Sequence, residues 1–204
     1  MAFIDKNQAD ALVQIGRTGT LGRIHLNRPK ALNSLTLDMV RAIAGALDRF
    51  EQDAGVAAVL ITGEGERAFC AGGDIRALYD GGPQDTSAGR VFWREEYVVN
   101  ARMSRYAKPY VAFMDLITMG GGVGVSAHGS HRVVTERTRL AMPETGIGFF
   151  PDVGGTWLLS RGRAGDGKSE IGTYLALTGE QIGAADAIHA GLADSFVSAA
   201  ALPE

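Results

Sequence analysis

The sequence predicts a domain of the α/β class, and two observations lead to this prediction. Short apolar runs rich in β-branched residues, which are typical of buried strands, alternate along the chain with longer segments whose apolar residues recur at helical spacing. Glycine-rich loops connect strands to helices at residues 63–73 and 120–124. Because 204 residues with 46% hydrophobic content can bury one sizeable core, we expect a single domain over residues 1–204.

The first predicted elements are a hairpin and an amphipathic helix. Residues 11–15 and 21–26 have alternating or β-branched apolar character and flank a short polar turn, which indicates two antiparallel strands. The polar side chains of residues 33–36 provide N-caps for a helix, because apolar residues recur at helical spacing over residues 37–50. We expect this helix to end near residues 53–55.

Ten further segments are assigned from their apolar patterns and their glycine or proline boundaries. The predicted strands are residues 56–62, 110–117, 132–135 and 138–141. The predicted helices start at Asp74 and within residues 120–124, and cover residues 92–105, 154–160, 172–178 and 181–192. The Gly/Pro/Ser-rich stretch 81–89 is expected to be a mobile loop.

Composition argues against several classes of partner. The 23 acidic and 20 basic residues give a net charge of −3, so the chain lacks the excess positive charge that neutralises a phosphate backbone. No run reaches the roughly 18 apolar residues needed to span a bilayer. No His or Cys cluster has metal-ligand spacing. We therefore expect no nucleic acid, no membrane and no metal as partners.

The expected location is the cytoplasm. Cys70 is the only cysteine, so the chain cannot form an intramolecular disulfide and nothing indicates an oxidising compartment. Residues 1–8 lack both the apolar core of a signal peptide and the Arg-rich character of a transit peptide.

The glycine cluster at residues 120–124 follows a predicted strand and opens a predicted helix. Glycine lets a ligand approach the backbone closely, and the N–H groups at a helix N-terminus are unpaired and carry partial positive charge. Such donors suit a negatively charged oxygen. Tight packing of the helix on the strand is the alternative explanation.

Two other motifs overlap this cluster, and both are disfavoured. Residues 122–127 fit the dinucleotide pattern G-x-G-x-x-A, but Gly129 breaks the helix after about two turns, too early for a crossover. Residues 124–128 resemble a nucleophile elbow around Ser126, but His128 stands where that motif requires glycine. His128 is therefore expected to be a packing or surface residue.

The loop at residues 68–75 also lies between a predicted strand and a predicted helix. It could supply a second N–H donor, and two convergent donors are what a developing oxyanion needs. Cys70 in this loop could act as a thiol nucleophile, but it has no basic partner nearby in the sequence. A buried structural cysteine is the favoured interpretation.

Glu144 and Asp152 are the candidate acid/base pair. They lie in a Gly/Pro-punctuated and otherwise apolar stretch, whose apolar side chains would raise the pKa of a carboxyl towards the range useful for proton transfer. The apolar neighbours are Met142, Ile147, Phe149 and Phe150. A salt bridge, or for Asp152 a cap on the helix near Gly154, is the alternative. Of the adjacent Glu95 and Glu96, at most one can face the site squarely.

Five segments in this order resemble the crotonase (enoyl-CoA hydratase/isomerase) superfamily. They are residues 27–33, 68–75, 119–124, 142–148 and 151–155. The strings Phe-Cys-Ala-Gly-Gly-Asp-Ile, Arg-Glu-Glu-Tyr and Met-Pro-Glu-Thr-x-Ile-Gly-x-Phe-Pro-Asp-Val-Gly-Gly are similar to those of the members that hydrolyse 3-hydroxyisobutyryl-CoA. The resemblance runs from about residue 11 to the end of the chain.

The resemblance implies a spiral of β-β-α units that binds an acyl-CoA, with the thioester carbonyl polarised by the N–H groups of Gly73 and Gly121. Glu144 would be the principal catalytic carboxylate, with Asp152 close by and Glu96 lining the acyl pocket. The residues implied in holding coenzyme A are Lys30, Ala31, Leu32, Cys70, Ala71, Gly72 and Asp74. Coenzyme A is part of the substrate, so no cofactor is expected, and a homo-oligomer is left open.

Two departures from the superfamily pattern refine the expected function. The hydratases have a glutamate where this chain has Gly124, which favours hydrolysis of the thioester over hydration of a double bond. Members of the hydrolase type continue into a helical C-terminal region, so we expect the domain to be incomplete at its C-terminus. The expected reaction is hydrolysis of 3-hydroxyisobutyryl-CoA in valine breakdown. The alternatives are an enoyl-CoA hydratase or isomerase, and a CoA-binding fragment without catalysis.

Overall fold

The computed structural model of the chain describes residues 10–80, 86–162 and 169–202, in which helices accompany two β-sheets. The strands are β1 (Val13–Thr18), β2 (Leu21–Leu26), β3 (Ala58–Gly63), β4 (Ala68–Cys70), β5 (Tyr110–Met114), β6 (Ile117–Met119), β7 (His131–Val134), β8 (Arg139–Ala141) and β9 (Ser195–Phe196). The α-helices are α1 (Leu37–Gln52), α2 (Ile75–Asp80), α3 (Ser87–Met103), α4 (Gly121–Gly124), α5 (Gly155–Arg161), α6 (Glu170–Thr178) and α7 (Ala184–His189). Short 3-10 helices cover Pro29–Ala31, Glu144–Ile147 and Ala199–Ala201. The predicted α/β class is confirmed.

From β3 onwards, successive strands lie alternately in the two sheets. The larger sheet has the strand order β1-β2-β3-β5-β7-β9, and the smaller has the order β4-β6-β8. β1 and β2 pair antiparallel, whereas the pairs that follow in both sheets are parallel. Parallel neighbours need a crossover, and each crossover after β3 includes a strand of the other sheet. From β3 onwards the chain therefore repeats a β-β-α unit, with one strand in each sheet.

Helix α1 packs on the core through one apolar face. Its N-cap is Thr36, whose hydroxyl oxygen accepts a hydrogen bond from the Met39 N–H at 3.2 Å and so satisfies a free donor of the first turn. The buried residues of the helix are Met39, Val40, Ile43, Ala46, Leu47 and Phe50. Each of the larger side chains contributes roughly 1.5–3 kcal/mol of burial free energy. In the described ranges of the chain, no helix is long and apolar enough to cross a membrane.

The single strand predicted over residues 110–117 is two strands in different sheets. β5 ends at Met114 and β6 begins at Ile117, and Leu116 between them has a φ of +67°. A residue in the left-handed region cannot continue an extended strand, so the chain turns here from the larger sheet into the smaller one. An apolar run does not reveal such a turn, which is why the pattern predicted one strand.

Other boundaries differ in smaller ways. The predicted loop 63–73 contains β4, and α3 begins at Ser87, so the last residues of the expected mobile stretch are helical. Residues 81–85 of that stretch lie outside the described residues. Helix α7 is shorter than the predicted 181–192 because Ile182 forms a β-bridge with Leu140 instead.

The glycines of α4 allow the backbone of this helix to touch the loop that follows β4. A Cβ atom at Gly122 would lie 2.2 Å from the carbonyl oxygen of Cys70 and 2.9 Å from its carbonyl carbon. These are backbone atoms that cannot rotate away, so only glycine permits this approach. The contact holds the two glycine loops together.

Gly122→Ala should destabilise the fold, because the added Cβ would overlap the backbone of Cys70. Overpacking of this kind costs about 1–3 kcal/mol. Gly45→Ala in α1 is the matched control, since a Cβ at Gly45 meets nothing within 4 Å. It should raise the free energy of unfolding by about 0.5–1 kcal/mol. Urea denaturation measures both variants, and equal stabilities would contradict the close contact.

Candidate active site

A cavity of about 480 Å³ lies between the two glycine loops, helix α3 and the segment after β8. Three buried carboxyl residues line it, namely Glu96, Glu144 and Asp152. A larger cavity of about 610 Å³ lies against β2 and β3, but none of these carboxyl groups lines it. The cavity with the buried acids is therefore the candidate active site.

The two loops present backbone N–H groups side by side at this cavity. Gly73 and Gly121 both line it, and a Cβ atom at Gly121 would lie 3.2 Å from the nitrogen of Gly73. Gly72 has a φ of +107°, a conformation that glycine adopts readily, and its own Cβ position lies 3.5 Å from the nitrogen of Gly121. Among the described residues, neither N–H has a recorded acceptor. The pair can therefore bind a partly negative oxygen.

Glu144 projects from the 3-10 helix after β8 against the glycine loop. Its Oε1 lies 2.8 Å from the position that a Cβ at Gly120 would take, so only a glycine there admits the carboxylate. Gly120 has a φ of +50°. Burial raises the pKa of Glu144 to about 7, with a smaller contribution from the negative charge of Asp152. A carboxyl with this pKa can both accept and donate a proton near neutral pH.

Glu96 reaches the cavity from helix α3 and is 2% exposed. Its Oε1 lies 2.6 Å from the Cβ position of Gly121 and has no hydrogen-bond partner among the described residues. Burial raises the pKa of Glu96 to about 8, and the negative charges of Asp152 and Glu144 add to the effect. Glu96 therefore carries a proton at neutral pH. Its neighbour Glu95 instead pairs with Arg41 at the surface.

Asp152 is held by a hydrogen bond from outside its own segment. The hydroxyl of Tyr97 donates to Oδ2 of Asp152 at 2.7 Å. Burial raises the pKa of Asp152, and the Tyr97 hydrogen bond opposes that rise. Asp152 is not the N-cap residue of α5, because Gly154 occupies that position.

The residue after Asp152 has an unusual backbone conformation. Val153 is buried and has a φ of +46°, which is strained for a β-branched residue. Nε2 of His128 donates to the carbonyl oxygen of Val153 at 2.7 Å and so holds this turn in place. His128 is a packing residue, as predicted, but it supports the segment that carries Asp152.

Aromatic side chains form the apolar wall of the cavity. Trp93 of α3 stacks on Phe149 with ring centroids 5.6 Å apart, and Phe92 lies beside Gly73. The expected apolar neighbours contribute unequally, because Ile147 is 63% exposed and Phe150 is 56% exposed. Burial of the carboxyl groups thus comes mainly from α3 and the glycine loops. Sequence reasoning predicted Phe149 as an apolar neighbour but missed the roles of Phe92, Trp93 and Tyr97, although these three residues flank Glu95 and Glu96 in the sequence.

The loop that carries Lys30, Ala31 and Leu32 is bonded to the loop after β4. The Ala71 N–H donates to the carbonyl of Leu32 at 3.0 Å, and the Leu35 N–H donates to that of Gly72 at 2.8 Å. Ala71, Gly72 and Gly73 line the cavity, whereas the loop 30–32 lies beside it. The two segments expected to hold coenzyme A are therefore adjacent.

Of the residues predicted to bind coenzyme A, one has a buried side chain and another has a side chain in an ion pair. Cys70 is fully buried, and burial raises the pKa of its thiol to about 12. This supports the structural interpretation of Cys70 and leaves its backbone as the part that can meet a ligand. The carboxylate of Asp74 pairs with Arg28 at 2.7 Å and joins the two loops.

The structure does not form the nucleophile elbow that residues 124–128 resemble. The buried hydroxyl of Ser126 donates to the carbonyl of Gly122 at 2.6 Å, within its own turn, while His128 bonds to Val153. In the described part of the chain, no group of three or more His, Cys, Asp or Glu side chains could hold a metal ion.

Gly124 lies where packing leaves no room for a side chain. A Cβ at this position would be 2.7 Å from the Cβ of Val153 and 3.1 Å from Nδ2 of Asn100. A longer acidic side chain would require Val153 to move. The cavity therefore contains Glu144 without a second carboxylate from position 124.

A family model for enoyl-CoA hydratase/isomerase matches residues 21–204. The mitochondrial 3-hydroxyisobutyryl-CoA hydrolase of Danio rerio is 49% identical over 191 residues, which cover 94% of this chain and 49% of that protein. The Homo sapiens protein of the same name is 47% identical over 185 residues, covering 91% of this chain and 47% of its own length. The chain spans about half the length of the curated relatives it matches.

Two solved structures are also similar. A carnitinyl-CoA dehydratase from Mycobacterium thermoresistibile has a TM-score of 0.88 at 52% identity and covers 92% of this chain, which covers 54% of that one. An enoyl-CoA hydratase from Rhodobacter sphaeroides 2.4.1 has a TM-score of 0.89 at 47% identity, with coverages of 95% and 56%. The expected crotonase fold is thereby confirmed.

The expected cytoplasmic location is wrong, because the curated relatives are named as mitochondrial proteins. The prediction rested on a single reduced cysteine and on the character of residues 1–8. A reduced cysteine is compatible with any reducing compartment, so it does not distinguish the cytoplasm from others. The fold of the core does not determine the compartment in which the protein resides.

Glu144 should make the fold less stable as the pH rises from about 4.5 to about 7. Its pKa is raised from 4.5 to about 7, so over this range the folded state keeps a proton that the unfolded state has lost. Glu144→Gln removes this loss, which is on the order of 2 kcal/mol. The stability of the variant relative to the wild type should therefore increase across the range in denaturation experiments. Glu95→Gln, at an exposed carboxylate whose pKa is lowered by Arg41, should show no such increase.

Proposed function

The chain belongs to the enoyl-CoA hydratase/isomerase family, and within it we propose that residues 1–204 form an acyl-CoA-binding domain that hydrolyses 3-hydroxyisobutyryl-CoA to 3-hydroxyisobutyrate and coenzyme A. One observation carries this proposal: the N–H groups of Gly73 and Gly121 line the same cavity as the carboxylate of Glu144. A thioester carbonyl bound between these groups has an oxyanion site on one side and an acid/base on the other.

The two N–H groups would act on the thioester oxygen. Attack on the acyl carbon moves negative charge onto that oxygen, and two fixed donors in a water-poor cavity stabilise the charge without having to reorient. Removing one such donor from an enzyme costs roughly a hundred- to a thousandfold in kcat. Because both donors are backbone groups, their position depends on the contact between the glycine loops.

Glu144 would act on the acyl carbon by one of two routes. It attacks to form a mixed anhydride that water then cleaves, or it takes a proton from water as the water attacks. In both routes the C–S bond breaks, the thiolate of coenzyme A gains a proton, and one water is consumed for each thioester. Single-turnover hydrolysis in heavy-oxygen water separates the routes, because only the anhydride route leaves the label in Glu144.

The other two acids would recognise the hydroxyacyl group. Glu96 carries a proton at neutral pH, because its pKa is about 8, and can donate a hydrogen bond to the acyl group. Asp152, oriented by Tyr97, can accept a hydrogen bond from the substrate hydroxyl or from water. A substrate with a hydroxyl on the third carbon, counting the thioester carbonyl carbon as the first, suits this arrangement better than an acyl chain without a hydroxyl.

Coenzyme A would lie along the paired loops beside the cavity. The backbone of residues 70–72 would meet the pantetheine arm, and the loop of Lys30, Ala31 and Leu32 would meet the nucleotide, with Lys30 exposed and free to approach phosphate. Asp74 would contribute by fixing this loop through Arg28. The reaction needs no cofactor beyond the coenzyme A of the substrate. This reaction would place the protein in valine breakdown.

Hydration of an enoyl-CoA is the second candidate, since two similar structures are described as an enoyl-CoA hydratase and a carnitinyl-CoA dehydratase. Addition of water across a double bond uses a second carboxylate in this superfamily, at the position of Gly124. Val153 and Asn100 fill the space beside Gly124. Hydrolysis needs no group at this position and is the better supported reaction.

Glu144→Gln should lower kcat for thiol release from 3-hydroxyisobutyryl-CoA by about a hundred- to ten-thousandfold. The affinity for free coenzyme A should stay unchanged, because Gln has the same size and the nucleotide binds elsewhere. Glu95→Gln is the control and should retain full activity. The measurement is a thiol-reagent assay combined with calorimetric binding of coenzyme A. A loss confined to binding would refute the catalytic role of Glu144.

A panel of thioesters should separate hydrolysis from hydration. We expect thiol release from 3-hydroxyisobutyryl-CoA and 3-hydroxypropionyl-CoA, and no consumption of crotonyl-CoA by hydration. Product analysis by mass spectrometry distinguishes the two reactions, because hydration keeps the thioester intact. Conversion of crotonyl-CoA to a hydroxyacyl-CoA without free thiol would favour the hydratase, and binding of all three without turnover would favour a non-catalytic domain.

A further inference from the structure

A cavity of about 380 Å³, which we call the rear cavity, lies on the other side of Asp152 from the active site. No described residue lines both cavities. One hydrogen-bonded pair separates them, because Tyr97 lines the rear cavity and donates at 2.7 Å to Asp152, which lines the active site. The rear cavity is also lined by Asn100, Ser104, Val153 and Trp157.

Helix α3 runs along the glycine loops and relates the two cavities. Its side chains at positions 92, 96 and 100 are one turn apart and lie within 3.1 Å of the Cβ positions of three glycines in these loops. The glycines are Gly73, Gly121 and Gly124, in that order. At about 1.5 Å of rise per residue, each step advances about 6 Å along the helix. The direction from Gly73 to Gly124 therefore leads from the active site towards the rear cavity, which Asn100 lines.

The active-site cavity has its entrance at the Gly73 end. Ile75 and Tyr79 of α2 follow Gly73 in the chain, line this cavity and are exposed. The loop 30–32, which is expected to hold coenzyme A, is bonded to the loop after β4 and lies at the same end. Under the proposed function, coenzyme A enters here, so the acyl group extends in the opposite direction, towards Asp152.

The proposed substrate ends where the active-site cavity ends. In a 3-hydroxyisobutyryl group the hydroxyl is on the last carbon of the chain, and Asp152 is the proposed partner of this hydroxyl. A longer 3-hydroxyacyl group has further carbons after the one that carries the hydroxyl, and these would meet the ring of Tyr97. Burial raises the pKa of Tyr97, so the hydroxyl keeps the proton that it donates to Asp152 and the ring stays in place.

We propose that Tyr97 is the specificity-determining residue for the length of the acyl group, because its ring, held on Asp152, ends the acyl pocket and separates it from the rear cavity. This inference rests on the proposed hydrolase function and adds the class of thioester that the site rejects. The rejected class is 3-hydroxyacyl-CoA whose chain continues beyond the hydroxyl-bearing carbon. A short side chain at position 97 would join the two cavities, and the added carbons would lie against Val153 and Trp157.

The first test compares 3-hydroxypropionyl-CoA with both enantiomers of 3-hydroxyhexanoyl-CoA, which differ from it only beyond the hydroxyl-bearing carbon. The wild type should prefer the shorter thioester by at least about a hundredfold in kcat/KM for thiol release. Tyr97→Ala should reduce this preference at least about tenfold, because each methylene that enters the rear cavity favours the longer thioester about fourfold. An unchanged preference in folded Tyr97→Ala would refute the proposal.

Three further variants separate the ring from its hydroxyl and from the stability of the fold. Tyr97→Phe keeps the ring and loses the bond to Asp152, so it should lower kcat and keep the wild-type preference. A preference lowered as far as in Tyr97→Ala would overturn the role of the ring. Tyr97→Leu has a shorter side chain and should also reduce the preference, which decides the question if Tyr97→Ala does not fold. Ser104→Ala is the control, because the Ser104 hydroxyl lies two turns further along the helix and bonds to the carbonyl of Ala101 at 2.9 Å. It should leave both rates unchanged.

A crystal structure tests the direction of the acyl group without a change at position 97. Glu144→Gln with bound 3-hydroxypropionyl-CoA should show the substrate hydroxyl within hydrogen-bond distance of Asp152 and the last carbon against the ring of Tyr97. An acyl group that points towards the exposed Ile75 and Tyr79 would overturn the proposal, since a longer chain would then extend into solvent.

The outcomes separate this inference from the proposed function. If the wild type releases thiol from the short and long thioesters with similar kcat/KM, the length limit is wrong and the hydrolase assignment stands. If the wild type releases no thiol from any thioester, the hydrolase assignment fails. Calorimetric binding then still tests the limit, because 3-hydroxyhexanoyl-CoA should bind more tightly to Tyr97→Ala than to the wild type. Equal affinities would refute it.

Discussion

The active site depends on the close approach of two backbones, the loop after β4 and the start of α4. Gly122 lies over the carbonyl group of Cys70, and Gly72 lies against the carbonyl of Met119. A Cβ atom at either glycine would push the loops apart, because the facing atoms are rigid backbone. The strands that lead into these loops are neighbours in the smaller sheet. The sheet and the glycines together place the N–H groups of Gly73 and Gly121 side by side.

This approach also explains the electrostatics of the cavity. Once the loops have closed, Glu144 and Glu96 lie against glycine backbone with little access to water, so burial raises the pKa of both. Three acids share one small apolar space, and the negative charge of Asp152 disfavours the ionisation of both Glu96 and Glu144. Tyr97 donates a hydrogen bond that favours the charge of Asp152, and a backbone hydrogen bond favours the charge of Glu144. Burial of these carboxyl groups lowers the stability of the fold, but it moves their pKa values close to neutral pH, where they can transfer protons.

Packing around Gly124 limits which carboxyl groups can reach the active site. Val153, Asn100 and Gly124 fit against one another, so the space that a second acid would need is filled by an amide and a strained valine. This packing disfavours a second carboxylate at position 124 and is compatible with hydrolysis, which needs no group there.

The sequence by itself determined the α/β class, most helices, the two glycine loops and the candidate pair Glu144 and Asp152, because periodicity and glycine placement are local properties. The resemblance added the role of Glu96 in the acyl pocket and named Gly73 and Gly121 as the individual N–H donors. Only the tertiary structure decided that residues 110–117 divide between two sheets, that Asp152 bonds to Tyr97 and is not the N-cap residue of α5, and that aromatic rings of α3 enclose the acids. These contacts join residues about 55 positions apart. Such pairings follow from how the elements pack, and no local pattern records them.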